Sequence, residues 1–449
     1  MLQAVLLLFL AVADSKPHTP IHLPDAPDND VVQYSGYLHL DDDRHAHYIF
    51  TVAESDPSSK PLLVWFASSL GYSVLHQFFF TLSPYIISTS NGSLVRNDNA
   101  WSKVTNLLVI DLPVYAGFSY GRASNATSDV YARRDLTYEL LIQFFQEFPD
   151  FKVNDLYVGG ASGTGQYVPL LALKIMQNRT ENQINLQGLF IGNAMLSFEE
   201  SFTDLAMQMY SFGLVDERDY QTVQKDCCNG TFDGCNFAYT SIDEFCGDFI
   251  VQLIYNREKS GLNMYNLNDK CENDTQIVNF TKNRGFSGKR LGMLADTINL
   301  YIEKSDLKCI DETPFNSYLN RADVRQALNI PDDVRPWDMY RWVPYSCMLP
   351  EDIYGVVREV VDSNLRLLLF GGDLSLTSPM LHSRRFASKL GYERTSEMKP
   401  FFVEKDRVAG HHTQYGRVEV VSILASGIYG SGRNAETLYA LQAFLSKGN

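Results

Sequence analysis

The fold of this chain is indicated first by one short stretch, Tyr157-Val158-Gly159-Gly160-Ala161-Ser162-Gly163-Thr164-Gly165. An apolar run ends there in a glycine-rich turn with a central serine, and a helical pattern follows from Gln166 to Met176. Small residues around Ser162 allow the strained turn that exposes a serine hydroxyl at the end of a strand. The following helix N-terminus can stabilise a developing negative charge. The pattern favours a nucleophilic serine, and an ordinary Gly/Ser turn of an α/β fold is the alternative.

Short apolar runs lie on both sides of this turn. They predict buried strands of a mostly parallel sheet at residues 62–66, 106–110, 155–158, 187–191 and 365–370. A helical pattern over 135–145 separates two of them, and such alternation predicts an α/β fold. Residues 197–312 are rich in Cys, Asn and Asp and carry no strong strand pattern. We expect a helical insertion there, covering the edge of the sheet where ligands bind.

Length and composition limit the classes of protein that remain. The 449 residues amount to two or three domain equivalents, or to one large domain with an insertion. Hydrophobic residues make up 45% and charged residues 20%, as in ordinary globular proteins. The formal net charge of −15 argues against binding to a nucleic-acid backbone. After the N-terminus no run reaches 18 apolar residues, so no membrane span is expected.

The N-terminus and the sequons predict passage through the secretory pathway. Residues 2–13 are apolar, too short to span a bilayer, and end at small residues. This predicts a signal peptide over residues 1–14, although a basic n-region is missing, and a buried N-terminal helix is the alternative. Six Asn-x-Ser/Thr sequons add support for a secreted or lysosomal glycoprotein, at Asn91, Asn125, Asn178, Asn229, Asn273 and Asn279.

Cysteine usage points to the same kind of compartment. Six of the seven cysteines lie between residues 227 and 309, which favours disulfides that staple a local insertion. A zinc site is the rival interpretation, but no Cys-x-x-Cys or His-x-x-x-His pair supports it. We therefore expect no metal and no cofactor. The odd count leaves one thiol unpaired.

Further blocks of sequence carry a family resemblance over nearly the whole chain after residue 14. These blocks are residues 33–38, 99–103, 111–120, 144–149, 167–169, 192–194 and 337–338. Together with the turn at Ser162, they resemble the serine carboxypeptidase family of the cathepsin A and carboxypeptidase Y type. The resemblance implies an α/β-hydrolase fold with a Ser–Asp–His triad in that chain order. It also implies a core of residues 15–196 and 313–449 interrupted by a disulfide-stapled cap over 197–312.

The resemblance assigns disulfides and an oligomeric state. It implies the bridges Cys227–Cys246, Cys228–Cys235 and Cys271–Cys309, which leaves Cys347 unpaired. A homodimer is the state that relatives suggest. The disulfide that the family places between the oxyanion loop and a Trp-Asp-x-Cys segment maps onto Tyr72 and Tyr340. Replacement of both partners by the same residue type indicates a repacked but viable fold.

The triad positions are only partly filled. The nucleophile corresponds to Ser162 and the base to His411, for which an incidental surface histidine is the alternative. The position of the acid holds Ser375, which cannot supply the charge that stabilises an imidazolium, and even an Asn there costs about 10⁴ in turnover. Asp373, two residues earlier, could substitute if the loop shifted. Residues 415–433 look inserted after His411, as a real loop or as an error in the gene model.

The oxyanion and substrate-binding positions are also altered. The backbone donors would come from Ser69 and Gly163. Two glycines of the family are serines here. Because serine rarely adopts a positive φ, the loop has fewer conformations in which the N–H of Ser69 can point at an oxyanion. The Asn and two Glu with which the family binds a C-terminal carboxylate correspond to Ala67, Thr81 and Ala161. None of these side chains can repeat that contact.

Three functional hypotheses follow from these substitutions. The first is a secretory-pathway homologue that has lost efficient peptidase activity and acts by binding an unidentified protein partner. The second is an active carboxypeptidase that acts on peptides through Ser162 and His411 with a substitute acid. The third is an esterase or acyltransferase, because a neutral pocket suits an uncharged acyl substrate.

Overall fold

The computed structural model describes residues 19–27, 30–41, 43–67, 71–121, 130–235, 246, 261–271, 309–341 and 353–446. Its strands are β1 (Gln33–Asp41), β2 (Arg44–Thr51), β3 (Leu62–Phe66), β4 (Tyr85–Ile87), β5 (Leu94–Arg96), β6 (Asn106–Ile110), β7 (Tyr120–Gly121), β8 (Leu156–Ala161), β9 (Leu186–Gly192), β10 (Arg366–Gly372), β11 (Arg394–Phe402), β12 (Val408–Tyr415) and β13 (Val418–Ile423).

The α-helices of the described residues lie before, between and after these strands. They are α1 (Val74–Gln77), α2 (Val130–Glu147), α3 (Tyr167–Gln177), α4 (Arg179–Asn182), α5 (Phe198–Ser211), α6 (Glu217–Thr222), α7 (Thr313–Leu319), α8 (Ala322–Ala327), α9 (Ile353–Asp362), α10 (Met380–Lys389) and α11 (Asn434–Ser446).

One mixed sheet organises the molecule, in the order β1-β2-β6-β3-β8-β9-β10-β13-β12-β11, with β7 beside β2. The six strands from β6 to β13 in this order pair in parallel, and antiparallel pairs complete both edges. Every residue of β3 and β6 is buried, because helices or loops cover both faces of a parallel sheet. The α/β architecture predicted from the sequence is confirmed.

Two hydrophobic cores lie on the two faces of the sheet. One packs α2, α3, α9 and α10 against the strands, through side chains such as Phe144, Leu171 and Val360. The other contains α1, α7 and α11, through side chains such as Leu75, Phe315 and Phe444. Successive strand residues point to opposite faces, so central strands such as β8, β10 and β13 contribute to both cores.

The segment that was expected to be a cap begins with α5 and α6. The side chain of Ser197 accepts a hydrogen bond from the N–H of Glu200, which caps the start of α5. The three bridges Cys227–Cys246, Cys228–Cys235 and Cys271–Cys309 are present as the resemblance implies. They close sequence separations of 19, 7 and 38 residues and so restrict the unfolded chain.

Several expectations fall wholly or partly outside the described residues. These are the signal peptide over residues 1–14, the sequons at Asn125, Asn273 and Asn279, and the thiol of Cys347. Asn91 and Asn229 are exposed, and Asn178 is half-buried, with its Nδ2 donating to the carbonyl of Lys174 at 2.8 Å. None of the described helices is long and apolar enough to cross a membrane.

The expectation that residues 415–433 are inserted is corrected by the sheet. Residues Val418–Ile423 form β13, which is buried throughout and pairs in parallel with β10. On its other side β13 pairs with β12 in an antiparallel hairpin. A buried strand between two others is a part of the core, so the segment completes the fold.

A buried carboxylate anchors the loop that precedes α1. Asp111 follows β6 and is fully buried. Its Oδ1 accepts hydrogen bonds from Ser73 Oγ at 2.7 Å and from the N–H of Val74 at 2.8 Å. Burial raises the pKa of Asp111 to about 7, although these donors act in the opposite direction. Ser73 Oγ in turn accepts from the indole of Trp337 at 2.9 Å, which links this loop to the segment after α8.

The same junction contains Tyr72 and Tyr340, the two positions at which the family resemblance implies a disulfide. Tyr72 and Tyr340 form an antiparallel bridge, and their ring centroids lie 4.8 Å apart. The N–H groups of Arg341 and Ser73 donate to the carbonyls of Gly71 and Met339, both at 2.9 Å. Since these bonds flank the pair, Tyr72 and Tyr340 occupy a non-hydrogen-bonded position, where Cα atoms approach to about 4.5 Å. Backbone pairing and ring packing therefore join the two segments without a covalent link.

This geometry predicts that a disulfide can be restored. In a Cys347→Ser background, we expect Tyr72→Cys with Tyr340→Cys to form a bridge, because the pair lies within the Cα separation that disulfides need. The measurement is intact mass with and without reductant. The matched control is Tyr72→Cys with Arg341→Cys, whose second side chain points to the other face and should stay reduced. Equal cross-linking in both variants would contradict the register.

Candidate functional site

The predicted nucleophile lies on a strained turn between β8 and α3. Ser162 has a φ of +49° and begins a short 3₁₀ turn over Ser162–Gly165. A side chain at Gly160 would approach Thr164 Oγ1 to 2.3 Å, so only glycine fits before the serine. The N–H of Met195 donates to the carbonyl of Ser162 at 2.9 Å and holds the turn against the end of β9. This is the local geometry of a nucleophile elbow.

The hydroxyl of Ser162 has a second serine as its partner. Ser162 Oγ lies 2.7 Å from Ser378 Oγ, and Ser378 is 1% exposed in the loop between β10 and α10. Among the described residues, Ser162 Oγ makes no hydrogen bond to a histidine or a carboxylate. A general base must lie within hydrogen-bond reach of the proton that it removes. Neither serine hydroxyl is a base at physiological pH.

Asn193 connects this hydroxyl pair to the surrounding loops. Its side chain is fully buried just beyond β9, with a φ of +39°. Oδ1 accepts from the N–H groups of Gly372 at 3.0 Å and Tyr429 at 2.7 Å. Nδ2 donates to the carbonyls of Gly372 at 3.1 Å and Ser378 at 2.9 Å. One amide therefore holds together the chain segments that follow β9, β10 and β13.

The turn after β13 approaches the carboxyl end of β9. Residues Ile428–Gly430 form this turn, and Tyr429 has a φ of +45°, which is strained for a bulky side chain. A side chain at Gly192 would meet Cβ of Tyr429 at 3.2 Å, so β9 and the turn are in direct contact. Burial raises the pKa of Tyr429 to about 12, and the nearby amide of Gln77 partly offsets this. The phenol is therefore neutral, and Ile428 is buried.

His411 lies away from the elbow, which contradicts the predicted pairing with Ser162. It is in β12, opposite Ser422 of β13 and Pro400 of β11. Four strand steps separate β8 from β12 in the sheet, which corresponds to about 19 Å at the usual strand spacing. That distance is several times the reach of a histidine side chain. The Gly-His sequence match was local and carried no information about the position of the strand.

The two residues considered for the triad acid have other partners. Ser375 is fully buried, its carbonyl accepts from Gln208 Nε2 at 2.8 Å, and its Oγ lies 3.4 Å from Thr377 Oγ1. Asp373 Oδ1 accepts from the N–H of Ser426 at 3.3 Å. Burial raises the pKa of Asp373, against the lowering effect of these backbone donors. Its carboxylate thus supports the loop after β13.

The residues predicted for the oxyanion and carboxylate sites contribute no charge. Ser69 falls outside the described residues, and Gly163 follows Ser162 in the exposed part of the turn. Ala67 and Ala161 are buried at the ends of β3 and β8. Thr81 Oγ1 donates to the carbonyl of Gln77 at 3.3 Å. Ala67 and Ala161 have no polar side-chain atom, so neither can hydrogen-bond a carboxylate.

Sequence reasoning missed Ser378 and Tyr429. A signal for Tyr429 was available, since residues 427–432 are glycine-rich and follow the apolar run Val418–Ile423. Read as a strand and its terminal turn, these residues would have been placed at the carboxyl edge of the sheet. Ser378 carries no comparable local pattern, because only the folding of the loop after β10 brings it to Ser162.

Comparison with known proteins identifies the family. The family model described as serine carboxypeptidase matches residues 24–447. The chain belongs to this family. The mouse lysosomal protective protein is 29% identical to this family member over 419 residues, which cover 88% of this chain and 86% of the relative. A serine carboxypeptidase of Caenorhabditis elegans, ctsa-4.1, is 26% identical and covers 89% and 86%.

A solved structure agrees with this membership at the level of the fold. The prohormone-processing carboxypeptidase Kex1(delta)p of Saccharomyces cerevisiae superposes on this serine carboxypeptidase homologue with a TM-score of 0.71. The alignment covers 96% of this chain and 93% of the yeast chain at 16% identity. The α/β-hydrolase fold that the resemblance implied is confirmed.

The role of Asn193 is testable by its removal. Asn193→Ala leaves the buried N–H groups of Gly372 and Tyr429 without their acceptor, and we expect a loss of roughly 2–4 kcal/mol in the free energy of unfolding. Asn364→Ala is the matched control, because Asn364 is exposed and also has a positive φ, of +68°. The control should lose only about 1 kcal/mol in the free energy of unfolding, which is the cost of placing an alanine at a positive φ. Equal losses in denaturant unfolding would show that the amide network contributes little.

Proposed function

We propose that this serine carboxypeptidase homologue has lost efficient peptidase activity and acts by binding a partner protein or ligand at or near the old active site. The proposal rests on the hydrogen-bond partner of the nucleophile position, Ser162. Ser162 Oγ is hydrogen-bonded to Ser378 Oγ at 2.7 Å, and a serine hydroxyl cannot take up its proton. A nucleophilic serine needs an adjacent general base for activation. Without one, Ser162 is an ordinary alcohol on a strained turn.

The residues later in the chain support the same conclusion. Triad members of α/β-hydrolases follow the order Ser, Asp or Glu, then His. Among the described segments after Ser162, Met195 beyond β9 and Ser378 in the loop after β10 contact the elbow, and Asn193 joins them to the turn after β13, with Ile428 and Tyr429. Neither an imidazole nor a carboxylate aimed at Ser162 is found in them. Asp373 is occupied by the backbone of Ser426.

Substrate recognition points in the same direction. A peptide's C-terminal carboxylate needs charged or hydrogen-bonding partners when it leaves water. Ala67 and Ala161 are buried and provide neither. Because these two losses concern different steps, restoring a base alone would not restore exopeptidase activity.

A neutral site is compatible with one second candidate function. Buried alanines at residues 67 and 161 suit an uncharged acyl group better than a carboxylate, so an esterase or acyltransferase is the alternative. This candidate shares the requirement for an activated Ser162. The reactivity of the Ser162 hydroxyl therefore tests this candidate as well.

We place the protein in the secretory pathway, in the lysosome or outside the cell. Three disulfides in the described residues support an oxidising compartment. Exposed sequons at Asn91 and Asn229 are accessible for glycosylation. The mouse relative is named a lysosomal protein.

The proposal is tested by the reactivity of Ser162. We expect a fluorophosphonate probe to leave the purified glycoprotein unlabelled at pH 5 and at pH 7, because an unactivated serine reacts too slowly. An active serine carboxypeptidase labelled in parallel shows that the probe works under both conditions. In the same samples, we expect no release of C-terminal residues from a peptide mixture, as read by mass spectrometry.

Two variants make the result interpretable. Labelling that disappears in Ser162→Ala would overturn the proposal and favour the esterase alternative if peptides remain uncut. Ser378→Ala removes the competing hydroxyl without adding a base, so it should also remain unlabelled. Thermal unfolding of each sample shows whether a negative result comes from folded protein.

A further inference from the structure

A cleft lies at the outer edge of the sheet, away from Ser162. It has a volume of about 220 Å³ and is bordered by the outer strands β10 to β13 and by α11. Its apolar lining includes Leu368, Val421, Ala440, Ala443 and Phe444. Its polar lining is Glu419, His412 and Lys399. Glu419 is the second residue of β13, about 13 Å along the strand from the carboxyl end that faces the elbow.

A buried charge network forms one wall of this cleft. Glu419 is 3% exposed, in the interior of a core strand where a carboxylate is costly unless it is paired. Its Oε1 lies 3.0 Å from Arg366 Nη2 and its Oε2 lies 2.8 Å from His412 Nε2. Arg366 is also held 4.1 Å above the ring of Phe444. Both carboxylate oxygens are therefore engaged, and the charges of Glu419 and Arg366 offset each other.

Two polar groups remain for a ligand. Lys399 and His412 are direct partners across the β11–β12 ladder, so their Cβ atoms lie about 5 Å apart on one face. The Nδ1 atom of His412 is the ring nitrogen that Glu419 does not engage. Among the described residues, Lys399 forms no ion pair, which makes it the unbalanced charge at the cleft. A positive group beside a polar nitrogen, at the mouth of an apolar cleft, selects for a carboxyl group on an apolar body.

We propose that this cleft binds a small aromatic carboxylic acid, with its carboxyl group at Lys399 and His412 and its ring among the apolar residues. Lys399 donates a hydrogen bond to the carboxylate of the ligand. Phe401 and Tyr439 both line the cleft and stack on each other at 5.4 Å with an interplanar angle of 3°. The ring of an aromatic ligand can pack on these two rings in an offset-stacked or edge-to-face geometry. The site is independent of the activity of Ser162.

The volume of the cleft limits the size of the ligand and therefore its affinity. A cleft of about 220 Å³ is below the range of drug-sized pockets, so it suits a molecule of about a dozen non-hydrogen atoms. Ligands with so few atoms bind weakly, so we expect a Kd on the order of 1 mM. Ligand-observed NMR detects affinities of this size.

The experiment uses 4-phenylbutanoate as the probe and the full glycoprotein at pH 7. We expect saturation transfer from the protein to the phenyl ring, and we expect 4-phenylbutanamide, which lacks the charge, to bind about tenfold more weakly. Lys399→Gln should weaken binding of the acid by a similar factor. Lys405→Gln is the matched control, because Lys405 is an exposed lysine of the same hairpin that does not line the cleft.

A filling variant locates the ligand. Ala443→Leu keeps a good helix former in α11 and occupies the cleft, so it should abolish saturation transfer while leaving the unfolding temperature nearly unchanged. Equal binding of the acid and the amide would overturn the proposal, as would undiminished binding to Ala443→Leu. An absence of transfer to the folded wild-type protein at millimolar probe would also overturn it.

Discussion

The buried amide of Asn193 is the contact on which the region around Ser162 depends. Its two polar atoms each make two hydrogen bonds, and these reach the ends of β9 and β10 and the turn after β13. These backbone groups lie at or beyond the ends of the strands, where sheet pairing stops, so they need other partners when they are buried. The arrangement also explains why an asparagine stands at a φ of +39°, since Asn tolerates this region better than most side chains.

Around this constraint the chain has the fold of its family. The strained backbone of Ser162 persists, although such a conformation costs on the order of 1–3 kcal/mol. Neighbouring hydrogen bonds stabilise this conformation, because the N–H of Met195 donates to the carbonyl of Ser162 and the hydroxyl of Ser378 pairs with the hydroxyl of Ser162. The contact between Tyr72 and Tyr340 is a second such case, since packing of two rings maintains a junction where the family resemblance implies a disulfide. Packing and hydrogen bonds within the scaffold therefore hold the geometry around Ser162 and the junction at Tyr72.

The parallel strands have a buried polar network at each end. Neutral amide and hydroxyl groups gather around Asn193 at the carboxyl end, whereas Glu419, Arg366 and His412 form a charged network towards the amino end. Loops meet at the carboxyl end, so that network positions irregular backbone. In the other network Glu419 stands within a strand, and its partners come from β10 and β12. The two networks thus serve different structural tasks on one sheet.

The sequence by itself determined the strands β3, β6, β8, β9 and β10, the helices between several of them, and the elbow at Ser162. These features depend on patterns within 5 to 15 residues, which hydrophobic periodicity and turn chemistry report directly. The strand β13 was missed although its apolar run was readable, since Glu419 interrupts that run and is paired there with His412 and with Arg366, 53 positions away. For the same reason His411 was assigned to the elbow. Strand order and the partners of Ser162 and Glu419 were decided by the tertiary structure alone, because pairing between distant segments leaves no local pattern in the chain.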